Sequence, residues 1–222
     1  MLNKEKCDPE LGLVVQKYLI EKGVSTPMVD TDCLSDKIAC IEEHFSSIMQ
    51  CLGLDLTDDS LADTPVRVAK MYVNEIFWGL NPANFPKCTA VDNKMNYNEM
   101  VIERNINVQS FCEHHFVSID GQATLAYIPK DKVIGLSKLN RIVEFFSRRP
   151  QIQERLTEQV FHTLTYILET DDIAVTIEAK HNCVISRGVE DVNSTTITNK
   201  FGGKFQNDIT RAEFLRFVTL ID

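Results

Sequence analysis

No stretch of this 222-residue chain approaches the ~18 consecutive apolar residues of a membrane span. The opening residues Met1-Leu2-Asn3-Lys4-Glu5-Lys6 also lack the apolar run of a secretory leader. No membrane partner is expected, and the expected compartment is the cytoplasm. Basic charge is short: 23 Lys and Arg stand against 32 Asp and Glu, a formal net charge of −9, which argues against a nucleic-acid binder. Internal repeats and low-complexity segments are missing. The seven cysteines, Cys7, Cys33, Cys40, Cys51, Cys88, Cys112 and Cys183, are odd in number and not closely paired, which excludes a disulfide framework. In a reducing compartment such thiols stay free or bind metal.

What is present is a 44% hydrophobic chain, enough to bury a full core as one domain or one domain with an appendage. Acids crowd into the first 65 residues, whereas Lys138, Arg141, Arg148, Arg149, Arg155, Arg187, Lys200 and Lys204 lie in the other half. A compact anion such as a nucleoside triphosphate fits that half, although Arg148, Arg149 and Lys204 read as solvated helix-face residues.

The same half carries Cys112-Glu113-His114-His115 and His181-Asn182-Cys183. Cys112 and His115 have the C-x-x-H spacing of a metal knuckle, and His181 and Cys183 would share one face if both lay on a strand. Two thiolates and one imidazole make three protein ligands and leave the fourth position open, the mark of a catalytic zinc and not of a closed structural site. The competing reading is two unrelated short clusters, since C-x-x-H alone is a common string. Cys40 and Cys51, and likewise His44 and His162, fall on helical segments and read as ordinary core or surface residues.

Apolar residues at near-helical spacing predict one helix through Leu11, Val14, Val15, Tyr18 and Leu19, and another through Ile38, Ile41, Phe45, Ile48, Met49 and Leu52. Thr64-Pro65 has the form of an N-cap followed by proline, opening a helix to Gly79. Asn81-Pro82-Ala83-Asn84-Phe85-Pro86 reads as a loop dividing a helical region, 1–80, from a second part, 81–222. There the period changes. Met100 to Val108 and Gln122 to Ile128 read as strands, with Asp120-Gly121 as a hairpin turn. Helices are expected from Ser137 to before Pro150 and from about Gln151 to Leu168, then a strand from Ile173 to Ala179 and a terminal helix near Arg211 to Leu220. That order is an α+β pattern with an antiparallel sheet.

Asp58-Asp59-Ser60-Leu61, Thr64 to Tyr72, Cys112 to His115, Gly135 to Val143, Gln151 to Leu156 and His181 to Cys183 together resemble GTP cyclohydrolase I of the bacterial type. The first 55 or so residues add little to the likeness. The resemblance implies the tunnelling fold, an antiparallel sheet backed by two helices that closes into a barrel on oligomerisation. It further implies a homo-oligomer, a decamer, with active sites at subunit boundaries. The implied reaction turns GTP and water into 7,8-dihydroneopterin triphosphate and formate, the entry to pterin and folate synthesis.

On this resemblance Cys112, His115 and Cys183 are the ligands of one Zn2+ per subunit, which lowers the pKa of water toward ~7 for attack on guanine carbon 8. His114 and His181 are the acid–base pair, suited to moving protons near neutrality. Glu154 recognises the guanine edge, because a carboxylate accepts from both N1–H and the exocyclic amine, and Gln153 helps frame that pocket. Leu136, Ser137 and Lys138 at a helix start, with Arg141 and Arg187, form the triphosphate site, joined by Arg67 and Lys70. Val66, Asn182 and Val184-Ile185-Ser186 depart from residues often seen in relatives, and none removes a ligand or an acid–base group. Two other classes of reading are another tunnelling-fold enzyme acting on a pterin or deazapurine, and a non-catalytic zinc-stabilised module whose coordination would be closed by a fourth side chain such as Cys88.

Overall fold

A computed structural model describes residues 2–29 and 36–219; Cys33 and Leu220 lie outside the described residues. In chain order the helical part comprises α1 (Pro9–Glu21), α2 (Lys37–Cys51) and α3 (Thr64–Lys70), the last running into a π-helical turn, Met71–Ile76. Asp8 and Asp36 cap α1 and α2 with side-chain carboxylates that accept backbone N–H groups. The N-cap of α3 is Asp63 and not Thr64, and its side chain makes no capping bond; it pairs with Arg67 at 3.2 Å instead.

The second part contains β1 (Ala90–Asp92), β2 (Val101–Cys112), β3 (Ser118–Tyr127), β4 (Lys132–Ile134), α4 (Leu136–Ser147), β5 (Pro150–Gln151) and α5 (Gln153–Leu168). It continues with β6 (Ile173–His181), the single turn α6 (Asn182–Ile185), β7 (Thr196–Phe201) and α7 (Asp208–Thr219). One sheet has the order β5-β2-β3-β6-β7, antiparallel except for the short β2–β5 pairing, and β1 and β4 form a separate pair. This is the α+β arrangement the sequence pattern calls for: an antiparallel sheet backed by α4 and α5.

The two backing helices present apolar stripes at helical spacing. Leu139, Ile142, Val143 and Phe146 of α4 and Leu156, Val160, Leu164 and Leu168 of α5 are all nearly inaccessible. Against them stand Val108, Ala123, Leu125, Val175 and Ile177 of the sheet. Each large side chain so buried contributes about 1.5–3 kcal/mol. Val15 and Leu19 of α1 join the same core. By contrast α2 buries only Met49 and leaves Ile48 and Leu52 exposed.

The expected hairpin turn is displaced. Asp120 and Gly121 lie inside β3, and the chain reverses instead over 113–117, within the first metal motif. Gly121 is required by close packing, since a Cβ there would lie 2.1 Å from the Glu178 carbonyl oxygen on β6. Nor is Arg149 a solvated cation. It is buried against the rings of Phe145 and Phe146, with the Gly79 carbonyl and Thr26 Oγ1 accepting from its guanidinium.

Candidate metal centre and its surroundings

Three strand ends converge at one edge of the core. β2 finishes at Cys112, β3 starts at Ser118, and Ile119 of β3 pairs with His181 at the end of β6. Between Cys112 and Ser118 the chain makes one tight reversal, in which Phe116 N–H donates to the Cys112 carbonyl (2.9 Å) and Cys112 N–H donates to the Val117 carbonyl (2.8 Å). Past His181 the strand stops, and Cys183 lies on the turn of α6. The two residues therefore do not share a strand face. The turn folds the thiol back, and Asn182 Nδ2 anchors it by donating to Ser118 Oγ (2.7 Å) and Asp120 Oδ2 (3.0 Å).

The result is a set of donor atoms from Cys112, His115 and Cys183 that all lie within 4.8 Å of one another. Cys112 Sγ stands 3.9 Å from His115 Nδ1. His114 Nδ1 is just as near that sulfur, at 3.8 Å, but His114 falls outside the mutual set. Burial, and next the neighbouring Cys112 thiol, push the Cys183 thiol above its ordinary value, while its own backbone N–H and Arg187 pull the other way. Two thiolates this close repel, and a divalent cation between them reverses that cost. Two sulfurs and an imidazole nitrogen are a donor set suited to zinc, and among the described residues no fourth Cys, His, Asp or Glu joins them. Cys88 is far from closing the set: it lies in the main core, its thiol pushed up to about 12 by burial.

The N-terminus of α5 abuts this centre. Gln153 is 2% exposed, and its amide nitrogen donates to the carbonyls of Ile177 (2.9 Å) and Thr196 (3.0 Å) and to Thr198 Oγ1 (3.1 Å). Its Oε1 faces His181 Nε2 at 2.7 Å. Gln153 therefore meets the site through His181. Burial pulls the His181 imidazole below its ordinary value, and the nearby Glu154 carboxylate pulls it partly back. Glu154 itself is exposed. Arg155 turns toward the reversal and pairs with Glu113, whose Oε1 is 3.9 Å from His114 Nε2. No spacing in the sequence signals that ion pair, because its members come from different elements.

Phe116 has φ +55°, a left-handed conformation costing a non-glycine residue about 1–2 kcal/mol. Its ring meets Phe77 at 5.2 Å and Tyr72 at 6.1 Å, both edge to face. Such pairs contribute about 0.5–1.5 kcal/mol each and offset the backbone cost. Both partners come from the π-helical turn and the residue after it.

The cations divide. Arg187 Nη1 is 3.1 Å from His115 Nε2, at the centre. Arg67, exposed and paired with Asp63, and Lys70, also exposed, precede Tyr72 by about one turn of helix or less. Leu136, Ser137, Lys138 and Arg141 begin α4 at the opposite end of the sheet, where Asn140 Nδ2 donates to Glu103 Oε1 at 3.1 Å. Glu103 sits nine residues along β2 from Cys112, roughly 30 Å away. One subunit thus does not bring these four residues to its own metal centre. The N-cap of α4 is Gly135, one residue before Leu136.

Fold and site define an α+β protein whose sheet end carries a Cys-His-Cys group able to hold a metal ion, flanked by two further histidines. The family model described as GTP cyclohydrolase I matches residues 41–219. Over 212 residues the chain is 55% identical to GTP cyclohydrolase 1 of Pectobacterium carotovorum subsp. carotovorum (strain PC1), covering 93% of this chain and 95% of that relative. It is 53% identical over 215 residues to GTP cyclohydrolase 1 of Pasteurella multocida (strain Pm70), covering 96% and 98%. A dihydroneopterin aldolase from Burkholderia thailendensis bound to guanine aligns with 50% of this chain and 97% of its own at 14% identity and a TM-score of 0.33. The chain belongs to the GTP cyclohydrolase I family, and is a hydrolase with that family's function in pterin and folate biosynthesis. Among the described residues no helix is long and apolar enough to cross a membrane.

Proposed function

We propose that this chain converts GTP and water to 7,8-dihydroneopterin triphosphate and formate at a zinc centre held by Cys112, His115 and Cys183. The observation that carries the reading is the mutual approach of those three donors, within 4.8 Å, without a fourth protein ligand among the described residues. When bound, zinc supplies the Lewis acidity that activates water at neutral pH.

The other roles rest on this chain's own side chains. Burial keeps His181 neutral near pH 7, so it can accept a proton, and Gln153 Oε1 facing Nε2 leaves Nδ1 as the accepting atom. His114, exposed at the rim, exchanges protons with substrate and solvent. Glu154 accepts from the guanine N1–H and amine. Arg187 neutralises phosphate beside the centre, with Arg67 and Lys70 further out.

Leu136, Ser137, Lys138 and Arg141 serve the triphosphate of a neighbouring subunit's site, which is how residues at opposite ends of one sheet act together. Two features support assembly. The outer edge of β7 and most of that of β2 are unpaired among the described residues, and unpaired edges favour closure of sheets into a barrel. Ile48 of α2 and Leu52 just after it stand exposed in the single chain, apolar surface that a neighbouring subunit would cover. We take the assembly to be a decamer in the cytoplasm, with residues 1–80 as a helical region and 81–222 as the catalytic part.

The test is incubation of purified protein with GTP, oxidation and dephosphorylation, and detection of fluorescent pterin, with and without a chelator. Pterin that appears only without chelator, and returns on zinc addition, supports the reading; no pterin from folded, zinc-replete protein overturns it.

A further inference from the structure

The role of the helical N-terminal part is not set by the reaction, yet its Tyr72 and Phe77 meet Phe116, the residue that follows the ligand His115. We infer that Tyr72 and Phe77 clamp the Phe116 ring and thereby hold the reversal that presents Cys112 and His115, making the N-terminal part a determinant of metal retention. The inference rests on the zinc-centre reading above.

Four observations converge on it. Phe116 directly follows the ligand His115 and closes the turn by donating its N–H to the Cys112 carbonyl. Its φ of +55° belongs to glycine or asparagine by preference, so the chain accepts strain at the residue after a metal ligand in order to place a ring there. That ring, 46% exposed and not buried in the core beneath it, lies edge-on to Tyr72 and Phe77. Those two rings stack on each other at 5.4 Å with 20° between planes, and Phe77 also meets Phe111, one residue before the ligand Cys112. Lastly, Tyr72 lies on a π-helical turn, an irregularity frequent at functional places. Relaxing the left-handed residue would swing His115 relative to Cys112 and open the set of three donors. Tyr72, Phe77 and Phe116 are therefore positioning residues; none is a ligand.

The test uses the full-length protein, stripped and reloaded with zinc or cobalt. Phe116→Gly removes the ring while accepting the left-handed backbone without strain, and Tyr72→Leu removes the opposing ring while leaving the turn untouched. Zinc release to a coloured chelator is timed, and the visible absorption of the cobalt form reports ligand geometry. Each variant is expected to release zinc about tenfold faster than the parent, as loss of outer support for a metal site does. The cobalt bands should shift or broaden, with far-ultraviolet circular dichroism unchanged. The double variant should release zinc no faster than the quicker single one, because one clamp has been removed twice. Parental release and parental cobalt bands in either single variant, or multiplying effects in the double, overturn the clamp. Failure of the parent to take up either ion overturns the zinc centre itself and the clamp with it.

Discussion

Gln153 Oε1 lies 2.7 Å from His181 Nε2, while the nitrogen of the same amide points its two hydrogens at three oxygens within reach on β6 and β7. The amide cannot be flipped without setting its oxygen against two carbonyls, so it faces His181 with an acceptor. Nε2 must then carry the proton. Gln153→Glu places carboxylate oxygens against those carbonyls and should lower stability by about 1–3 kcal/mol, read in thermal melts. Gln153→Ala should reduce turnover with little change in GTP affinity; an unchanged turnover number removes the glutamine from any part in orienting His181.

His114→Ala and His181→Ala should abolish formate release while zinc stays near one per chain by elemental analysis, since neither histidine belongs to the set of three donors. Loss of zinc in either variant reassigns it as a ligand. Glu154→Ala should leave zinc in place too, but weaken GTP binding by roughly tenfold to a hundredfold in titration calorimetry, the loss of hydrogen bonds to a charged group.

Gly121→Ala adds a methyl group 2.1 Å from the Glu178 carbonyl, on the strand that ends in His181. Overpacking of this kind costs about 1–3 kcal/mol or more. A lowered melting temperature together with incomplete zinc loading is expected; a variant melting like the parent shows that β3 and β6 have room to part.

Burial holds the His162 imidazole below its ordinary value, opposed by the Glu158 carboxylate 3.3 Å away. The unfolded chain therefore binds a proton more readily here than the folded one. The resulting stability is fully present above the unfolded value near ~6.5 and is lost as pH falls through it toward the lower folded value. His162→Gln should flatten the fall in melting temperature between pH 7.5 and 5.5, and an identical pH dependence in parent and variant counts against this assignment.

The legible and illegible features differ in the range of the interactions behind them. Helices α1, α2, α4 and α5 were legible because their stripes at three- and four-residue spacing are a property of the local sequence. Asp120-Gly121 misled because glycine serves two purposes. It can open a turn, or it can admit a neighbouring backbone, and only the approach of Glu178 shows the second. Arg149 misled because its aromatic cover comes from α4 and its polar partners from before the sheet. The pairing of Glu113 with Arg155 and the anchoring of Asn182 by Ser118 and Asp120 likewise join segments distant in sequence.

By itself the sequence determined the residue chemistry of this protein: two thiols and three imidazoles in two short motifs, helices with one apolar face each, and strands able to pair. Those are set by side-chain type and by spacing within a few residues, which no later packing alters. Tertiary structure alone decided which histidine stands with both sulfurs, which glutamine fixes His181, and that Lys138 and Arg141 lie at the far end of the sheet from Cys112. The reason is strand pairing: an antiparallel register determines which ends meet, and that register is specified by contacts between elements and not within them.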